Sequence, residues 1–528
     1  MKAIDSIVAF FSPKAALERV AARKRLEVVA SGYSSGGASY AKRSLIGFSG
    51  SSSDADSDIV DNLETLRSRS RLLYMTSPLA TGAIKTIRTN VVGSGLALNA
   101  NIDADFLGLS EDEARAWEAN TEREWRLWAE TVACDAERKQ NFYQLQSLVV
   151  LSVLLSGDVF AVMPFIARPG CPYDLRISLI EADRVATPTE LTGQRNILGG
   201  IEVGTYGEPV AVHVANRHPY AIPRSADQQM LKYQRIPIFG KTTGRCNVLH
   251  VMTDIERPSQ RRGLPLLAPV IEELKQLKRY TDAELMAAVV SGMFTVFITS
   301  ENAAVDSDFA MNYGMDPGPA KVMDPQAVAM GNGSIVALED GQKPVFANPG
   351  RPSTAFDAYV ASICKYIGAA LELPYELLLK QFTSSYSASR AALLEAWKMF
   401  RMRREWLVSS FCRPVYEEWL AEAVAKGRIQ APGFFEDPAV RAAWSGAEWF
   451  GDAQGQLDPQ KEAAAAKIRV EEGFSTRTRE AAELTGMRYD AIMRTRKGEE
   501  ELRRLVGGGA PAESVPTTNS ANSEEDNE

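Results

Sequence analysis

The segment that most constrains the fold is 373–403, LPYELLLKQFTSSYSASRAALLEAWKMFRMR. It begins as a short amphipathic turn, breaks at a polar run of serine, threonine and tyrosine, and continues as a long helix that opens with small residues. The helical pattern extends from Ser387 to Gly427. We expect Pro414 to interrupt and kink this helix, because proline removes a backbone donor. The fold must therefore hold a long helix that is preceded by a polar connection.

Length and composition predict a chain of several domains. At 528 residues the chain is too long for one core of ordinary size. A content of 45% hydrophobic and 24% charged residues is typical of a globular protein. No apolar run approaches the roughly 20 residues that span a bilayer, and the N-terminal apolar patch is too short for an export signal. We therefore expect a soluble protein of the cytoplasm that binds no membrane.

The sequence predicts no cofactor, no metal ion and no catalytic site. The cysteines occur singly, without a CxxC pair: Cys134, Cys171, Cys246, Cys364 and Cys412. The histidines have no ligand partner at metal-binding spacing on one helix face: His213, His218 and His250. The chain also has no GxxxxGK[ST] phosphate loop and no GxSxG nucleophile elbow. A hydrolase with an unrecognised active site stays the enzymatic alternative.

The order of the patterns predicts an α+β fold. Helices are predicted at 58–76, from Pro78 to about Gly93, from Ser110 with a capping box to Glu113, and at 141–156 with Gly157 as the stop. Strands are predicted at 159–166, 175–180, 201–206, 210–215 and 248–252, with Gly207-Glu208 as a hairpin turn. A helix at 266–293 would be roughly 40 Å long. After a small β module at 294–346, helices resume at 353–371, and a last helical region covers 437–506.

The net charge of −8 restricts how the chain can meet nucleic acid. A free-standing, sequence-specific DNA-binding protein needs a basic face to neutralise phosphates. A conduit that moves DNA has the opposite requirement, because each neutralised phosphate adds affinity and therefore friction. Modest acidity is thus compatible with sliding DNA and unfavourable for gripping it.

Several further strings carry a resemblance to one family. They are PLATGAIKTIRTNVVGSGL (78–96), LIEADRVATP (179–188), ERPSQRRGLP (256–265), NPGRPSTAFDAYVASICKYIGAALELPYELL (348–378), YSASRAALLEAW (386–397) and DPQKEAAAAKIRVEEGFST (458–476). In this order they resemble the portal proteins of lambda-type tailed bacteriophages, and they cover most of the chain. The chain departs from the family pattern at Ser259, where many members have glycine, and at Phe382, where an acidic residue is frequent.

The resemblance implies a portal fold assembled as a ring, with a wing, a long-helix stem, a small α/β clip and a helical crown-like C-terminal region. The implied boundaries are a flexible arm at 1–57, the wing at 58–262, stem helices at 263–293 and 352–373, the clip at 294–351, the tunnel loop region at 374–386, the long helix and crown-like region at 387–506, and a disordered acidic tail at 507–528. The arm is rich in glycine and serine, and the tail lacks apolar area to offset its ordering entropy.

The resemblance also implies a function without catalysis. A portal ring, expected to be a homododecamer, forms the channel at one capsid vertex for DNA packaging and ejection, and nucleates capsid assembly. Its implied partners are double-stranded DNA, the terminase large subunit, the major capsid and scaffold proteins, and head-completion or adaptor proteins. The expected location is the virion, after assembly in the bacterial cytoplasm. Another virion component, such as a head-tail adaptor or baseplate protein, is the structural alternative.

Two sets of residues are candidates for contact with DNA. The first is the tunnel loop: Lys380, Gln381, Phe382, Thr383, Ser384, Ser385 and Tyr386. Its single cation, hydroxyls and aromatics suit weak, sequence-blind contact with phosphates, and the alternative is an ordinary helix connection with a Ser/Thr N-cap. The second is one face of the first stem helix: Lys275, Lys278 and Arg279. The alternative there is a solvated face paired with nearby acids such as Asp282.

Overall fold

A computed structural model of the chain describes residues 14, 18, 43–45, 48, 53–222, 231–252, 255–293, 297–300, 342–345, 356–382, 385–455, 459–487 and 489–506. The chain divides into two compact units, Met1–Asp58 and Ile59–Glu528. Most of the predicted arm, most of the predicted clip and the predicted tail lie outside the described residues. Across the described ranges, no helix combines the length and the apolar character needed to cross a bilayer.

The described helices begin and end close to where the sequence predicts. In chain order they are α1 Ala55–Thr76, α2 Pro78–Val91, α3 Ala104–Leu107, α4 Glu111–Ala129, α5 Phe142–Ser156, α6 Ile271–Met293, α7 Phe356–Ala370, α8 Tyr375–Leu379, α9 Tyr386–Leu407, α10 Arg413–Ala425, α11 Pro438–Trp444, α12 Pro459–Glu471, α13 Arg477–Thr485 and α14 Tyr489–Leu505. The predicted caps are confirmed, since Ser77 caps α2 and Ser110 and Glu113 form the capping box of α4. Gly157, at φ 88°, ends α5 as predicted.

The described strands form four small antiparallel sheets. They are β1 Ala97–Ala100, β2 Asp158–Val162, β3 Ser178–Ile180, β4 Ile197–Leu198, β5 Ile201–Val203, β6 Pro209–Ala215, β7 Tyr233–Pro237, β8 Val248–Met252, β9 Phe297–Ser300, β10 Gln342–Val345 and β11 Ala447–Phe450. The sheet orders are β1-β11, β10-β9, β3-β2-β8 and β4-β5-β6-β7. The predicted α+β class and the predicted hairpin between β5 and β6 are confirmed.

An aromatic cluster fills the centre of the main hydrophobic core. Trp125 of α4 lies 5.1 Å from Trp419 of α10 and 5.9 Å from Trp449 of β11, measured between ring centroids. Phe142 of α5 stacks on Phe411 at 5.6 Å. All of these rings are buried, and large aromatic side chains dominate the apolar area that a core removes from water. α10 and β11 therefore share one core with α4 and α5 of the predicted wing.

The pairing of β1 with β11 joins the same two parts of the chain through the backbone. The prediction of a wholly helical region over 437–506 is wrong at β11. A four-residue run such as Ala447–Phe450 has too few residues to distinguish a strand from a helix by periodicity, and its partner strand is distant in the sequence.

The long helix is interrupted near Pro414, as predicted. α9 passes through a π-helical turn at Val408–Cys412 into α10, and Pro414 lies in the first turn of α10. A proline inside a helix cannot donate its backbone hydrogen bond and crowds the preceding turn. The wider π turn accommodates this position while the helix continues.

Ser259 adopts a left-handed backbone conformation with φ 67°. Many members of the resembled family have glycine at this position, and this chain has serine. A side chain at such a φ is strained, and glycine carries no such penalty. The departure therefore has a structural cost just before the first stem helix.

We predict that Ser259→Gly raises the free energy of unfolding by about 0.5–1 kcal/mol, because the relieved strain exceeds the added backbone entropy of the unfolded chain. Urea unfolding followed by tryptophan fluorescence measures the change. The matched control is Ser362→Gly in the middle of α7, where the serine is exposed and glycine should lower stability by about 0.5–1 kcal/mol. A loss of stability at position 259 would contradict the prediction.

Candidate nucleic-acid interface

A buried carboxylate holds the chain that leads into α6, the first predicted stem helix. Asp158, at the start of β2, is fully buried and lies between two guanidinium groups. Arg67 of α1 approaches Asp158 Oδ1 to 2.8 Å, and Arg262, which precedes α6, approaches Oδ2 to 2.6 Å and Oδ1 to 3.0 Å. His250 Nε2 lies 3.3 Å from Oδ2, and the Gly263 N–H donates to the same oxygen at 3.2 Å. We call Arg67, Asp158 and Arg262 the buried triad.

The carboxylate of the buried triad is electrostatically compensated by the two guanidinium groups. Burial by itself would raise the pKa of Asp158, but the charges of Arg262 and Arg67 and the hydrogen bonds of His250 and Arg262 hold this pKa well below its usual value. Burial lowers the pKa of Arg67 to about 10, against the opposing effect of Asp158. The carboxylate therefore stays ionised, and each guanidinium depends on it.

Backbone contacts complete this joint. Arg262 also donates to the carbonyl oxygens of Val185 and Ala182, each at 2.8 Å. The backbones of Gly157 and Gly263 are in close contact. A Cβ atom added at Gly157 would lie only 2.1 Å from the Gly263 oxygen. α1, β2 and the chain leading into α6 are thus held together at one point.

We predict that Asp158→Asn lowers the free energy of unfolding at pH 7 by about 3–5 kcal/mol, because it leaves buried guanidinium charge without its partner. The folded-state pKa of Asp158 is lowered, so its contribution is present above the pKa of the unfolded chain, about 3.9, and is lost as the pH falls further. The stability difference between the two proteins should therefore shrink below about pH 4.

Urea unfolding at a series of pH values measures this difference. The control is Asp282→Asn, which removes an exposed carboxylate paired with Lys278 and should change stability by less than about 1 kcal/mol. Equal effects of the two substitutions at pH 7 would refute the assigned role of the buried triad.

The two predicted stem helices pack against each other through aromatic side chains. Tyr280 of α6 stacks on Phe356 of α7 at 5.6 Å and meets Tyr359 edge-on at 5.0 Å. On the predicted basic face, Lys275 and Arg279 are exposed. The third residue of this face, Lys278, lies beside an acidic residue instead.

Lys278 is half-buried and pairs with Asp282 at 3.1 Å. Lys278 therefore has the acidic partner that the alternative expects. Contact between this face and DNA stays a prediction for Lys275, Lys278 and Arg279.

The tunnel loop is held by a helix end on each side. Lys380 closes α8 in a left-handed conformation, φ 55°, with its N–H donated to the Glu376 oxygen. Ser385 caps α9 by accepting the Ala388 N–H at 3.4 Å, so the connection does contain the N-cap of the alternative reading. Thr383 and Ser384 lie outside the described residues.

Every described member of the loop is exposed, from Lys380 and Gln381 to Ser385. The rings of Phe382 and Tyr386 are each 54% exposed. The two capped helix ends therefore present a cation, an amide, a hydroxyl and two aromatic rings to the outside of the subunit. Such groups can make weak contacts with phosphates that do not depend on base sequence.

Comparison with known proteins identifies the family. A family model described as "Phage portal protein, lambda family" matches residues 41–404, which is more than half of the chain. The chain belongs to the lambda family of phage portal proteins. Portal protein B of Escherichia phage lambda is 25% identical to it over 501 residues, which cover 91% of each chain. The portal protein of Escherichia phage N15 is 25% identical over 501 residues, or 91% of this chain and 92% of that one.

Among solved structures, this portal protein is similar to a chain from the neck of an empty gene transfer agent (GTA) particle. The TM-score is 0.45, the sequence identity is 14%, and the match covers 78% of this chain and 92% of that chain.

Most of the basic residues in the second half of α9 contact other residues of the same subunit. Lys398 pairs with Glu395 at 2.6 Å. Arg404 donates to the carbonyl oxygens of Val91, Asn90 and Asp452. Arg403 is buried, whereas Arg401 is exposed.

Three potential metal ligands converge on the wing of the portal protein: Glu181, Asp183 and His218. The Arg71 guanidinium lies 3.5 Å from Glu181 and also pairs with Asp183. His218 Nδ1 accepts the Tyr220 N–H at 3.2 Å. A protein cation already compensates these carboxylates, so the cluster is explained as an ion-pair network.

The buried triad was not predicted from the sequence. Its signal was an aspartate in an otherwise apolar strand, DVFAV, directly after the glycine that ends α5. A charged residue in a buried strand requires a partner. The partner was present in the family-like string ERPSQRRGLP at 256–265, but nothing local indicated which arginine would reach back to the strand.

Proposed function

We propose that this portal protein assembles as a homododecameric ring at one capsid vertex and that double-stranded DNA passes through its central channel during packaging and ejection. The observation that carries the proposal is the exposed tunnel loop held between two capped helix ends. A channel wall must offer weak contacts, because every neutralised phosphate adds affinity. A loop with Lys380 as its single cation, flanked by hydroxyls and aromatic rings, meets this requirement.

We assign the parts of the portal subunit according to the predicted boundaries. Residues 58–262 form the wing, 263–293 and 352–373 the stem, 294–351 the clip, 374–386 the tunnel loop region, and 387–506 the long helix with the crown-like region. The packing of α6 on α7 through Tyr280 supports a paired stem. Lys275 and Arg279 are the stem cations that we assign to the channel side.

The proposed partners follow from what the chain lacks. The sequence contains no phosphate loop, so the energy for packaging comes from another protein, and we assign ATP hydrolysis to the terminase large subunit docked at the clip. Head-completion or adaptor proteins replace the terminase later. Major capsid and scaffold proteins surround the ring, which nucleates capsid assembly in the host cytoplasm and stays in the virion.

We predict that replacing 380–386 by a Gly/Ser linker of equal length leaves ring assembly intact and reduces DNA packaging or retention. The described loop residues are exposed, and a linker that keeps serine at position 385 retains the N-cap of α9, so the fold does not depend on the side chains that are replaced. Electron microscopy reports the rings, and nuclease-protected DNA per particle reports packaging.

The control for this variant is Tyr206→Ser. Tyr206 is 96% exposed in the hairpin turn between β5 and β6, so it tests the loss of an exposed aromatic ring outside the tunnel loop. Packaging should be normal in the control and reduced in Phe382→Ser with Tyr386→Ser. Wild-type packaging by the linker variant would rule out the channel assignment of this loop.

A further inference from the structure

A groove of about 1480 Å³ runs beside the long helix of this portal protein. It is lined by α9, by α12 and α13, and by β11 with the chain that follows it. The apolar part of the helix wall includes Trp397 and Leu394, which is 46% exposed. The groove therefore combines an apolar surface with a strand.

In the part of the chain that the structure describes, the outer edge of β11 pairs with no other strand. In the β1-β11 pair, Asn101 N–H donates to the Gly446 oxygen at 3.0 Å, so alternate residues of β11 point their backbone groups away from β1. These are Ala447 and Trp449. Among the described residues, neither has a hydrogen-bond partner for its backbone N–H or C=O on that side.

The other edge of the same sheet is covered by side chains. The amides of Leu96, Ala100 and Ile102 donate to Gln146, Glu122 and Glu118, respectively. Unpaired strand edges are sites of strand addition, and proteins usually block them. The protein blocks one edge of this sheet and leaves the edge in the groove available.

The helix wall of the groove carries excess positive charge. Arg390, Arg401 and Arg404 line it together with a single acid on the same helix, Glu405. Arg401 is exposed and has no ionic partner in the described part of the chain. Arg390 pairs with Glu462 at 3.9 Å, and the rest of the lining carries both signs of charge. Arg401 is therefore the cation that a negatively charged segment would meet in the groove.

We propose that the C-terminal segment 507–528 docks in this groove as an added strand beside β11. The segment follows α14, and α14 packs on α13, which is one of the groove walls. It contains five carboxylates and no lysine or arginine: Glu513, Glu524, Glu525, Asp526 and Glu528. Fully extended, its 22 residues, from 507 to 528, span about 70 Å.

Strand addition suits this segment although it is poor in apolar residues. In this mode the backbone supplies most of the affinity, and a few side chains set the register. The run Ser514–Thr518 contains Val515 and two threonines, which favour extended backbone. Pro516 is compatible, because proline is tolerated in an edge strand where its nitrogen faces outward. Docking would place the tail against the helix that begins at the tunnel loop.

Hydrogen exchange of the assembled full chain tests the proposal against a chain that ends at Val506. The amides of Ala447 and Trp449 should exchange at least about tenfold faster in the shortened chain, because their proposed partner is gone. The amides of Glu448 and Phe450, which face β1, are internal controls and should not change. Equal rates at Ala447 and Trp449 would overturn the proposal, and protection that persists after truncation would assign the edge to another occupant.

Binding of a synthetic 507–528 peptide to the shortened chain provides the second test. Affinity should fall at least about fivefold with Arg401→Glu and on raising the salt from 0.1 to 1 M, since screening weakens exposed charge pairs. Ala447→Pro removes an outward-facing donor and leaves the β1 ladder intact, so it should weaken binding as well. Lys398→Glu, on the same helix but paired with Glu395, is the control. No binding, or equal binding by Arg401→Glu and Lys398→Glu, would refute docking of the tail.

Discussion

Asp158 is the carboxylate on which the arrangement of the portal subunit depends. It is ionised and fully buried, so its two arginine partners must stay where they are. One partner comes from α1 and the other from the chain that leads into the first stem helix. The close contact of Gly157 with Gly263 lets the backbone reach this position without a clash. A single buried charge and its hydrogen bonds thereby hold the chain that leads into α6 against α1 and β2.

The aromatic core has a comparable role for the long helix. α10 continues α9 through the π turn and places Trp419 against Trp125, while β11 pairs with β1. Glu418 of α10 accepts the Cys246 N–H at 3.1 Å, and Glu422 accepts the Leu175 N–H at 2.9 Å. In the proposed ring, a force applied by DNA to the tunnel loop would pass along α9 into this core. A loop that contacts moving DNA requires a rigid attachment at the far end of the helix that follows it.

The sequence predicted the features that depend on neighbouring residues. Ser110 with Glu113, Ser77 with Pro78 and the interruption near Pro414 are local signals, and each is confirmed. Features that join distant residues were not predictable from one sequence. Asp158 is 91 residues from Arg67 and 104 from Arg262, and β11 gains its strand conformation from β1. At the candidate site, the sequence indicated where the tunnel loop lies and which serine could cap the helix after it. Whether Lys275 and Arg279 face the channel depends on how the subunits assemble.

Cryo-electron microscopy of the purified 528-residue chain, with mass photometry on the same sample, tests whether this portal protein forms a ring with the tunnel loop at its axis. We predict rings of about a dozen subunits around an axial hole, with Lys380, Phe382 and Tyr386 facing the hole. Rings in which these residues face away from the axis, or a protein that stays monomeric or dimeric across salt and protein concentrations, would contradict this prediction.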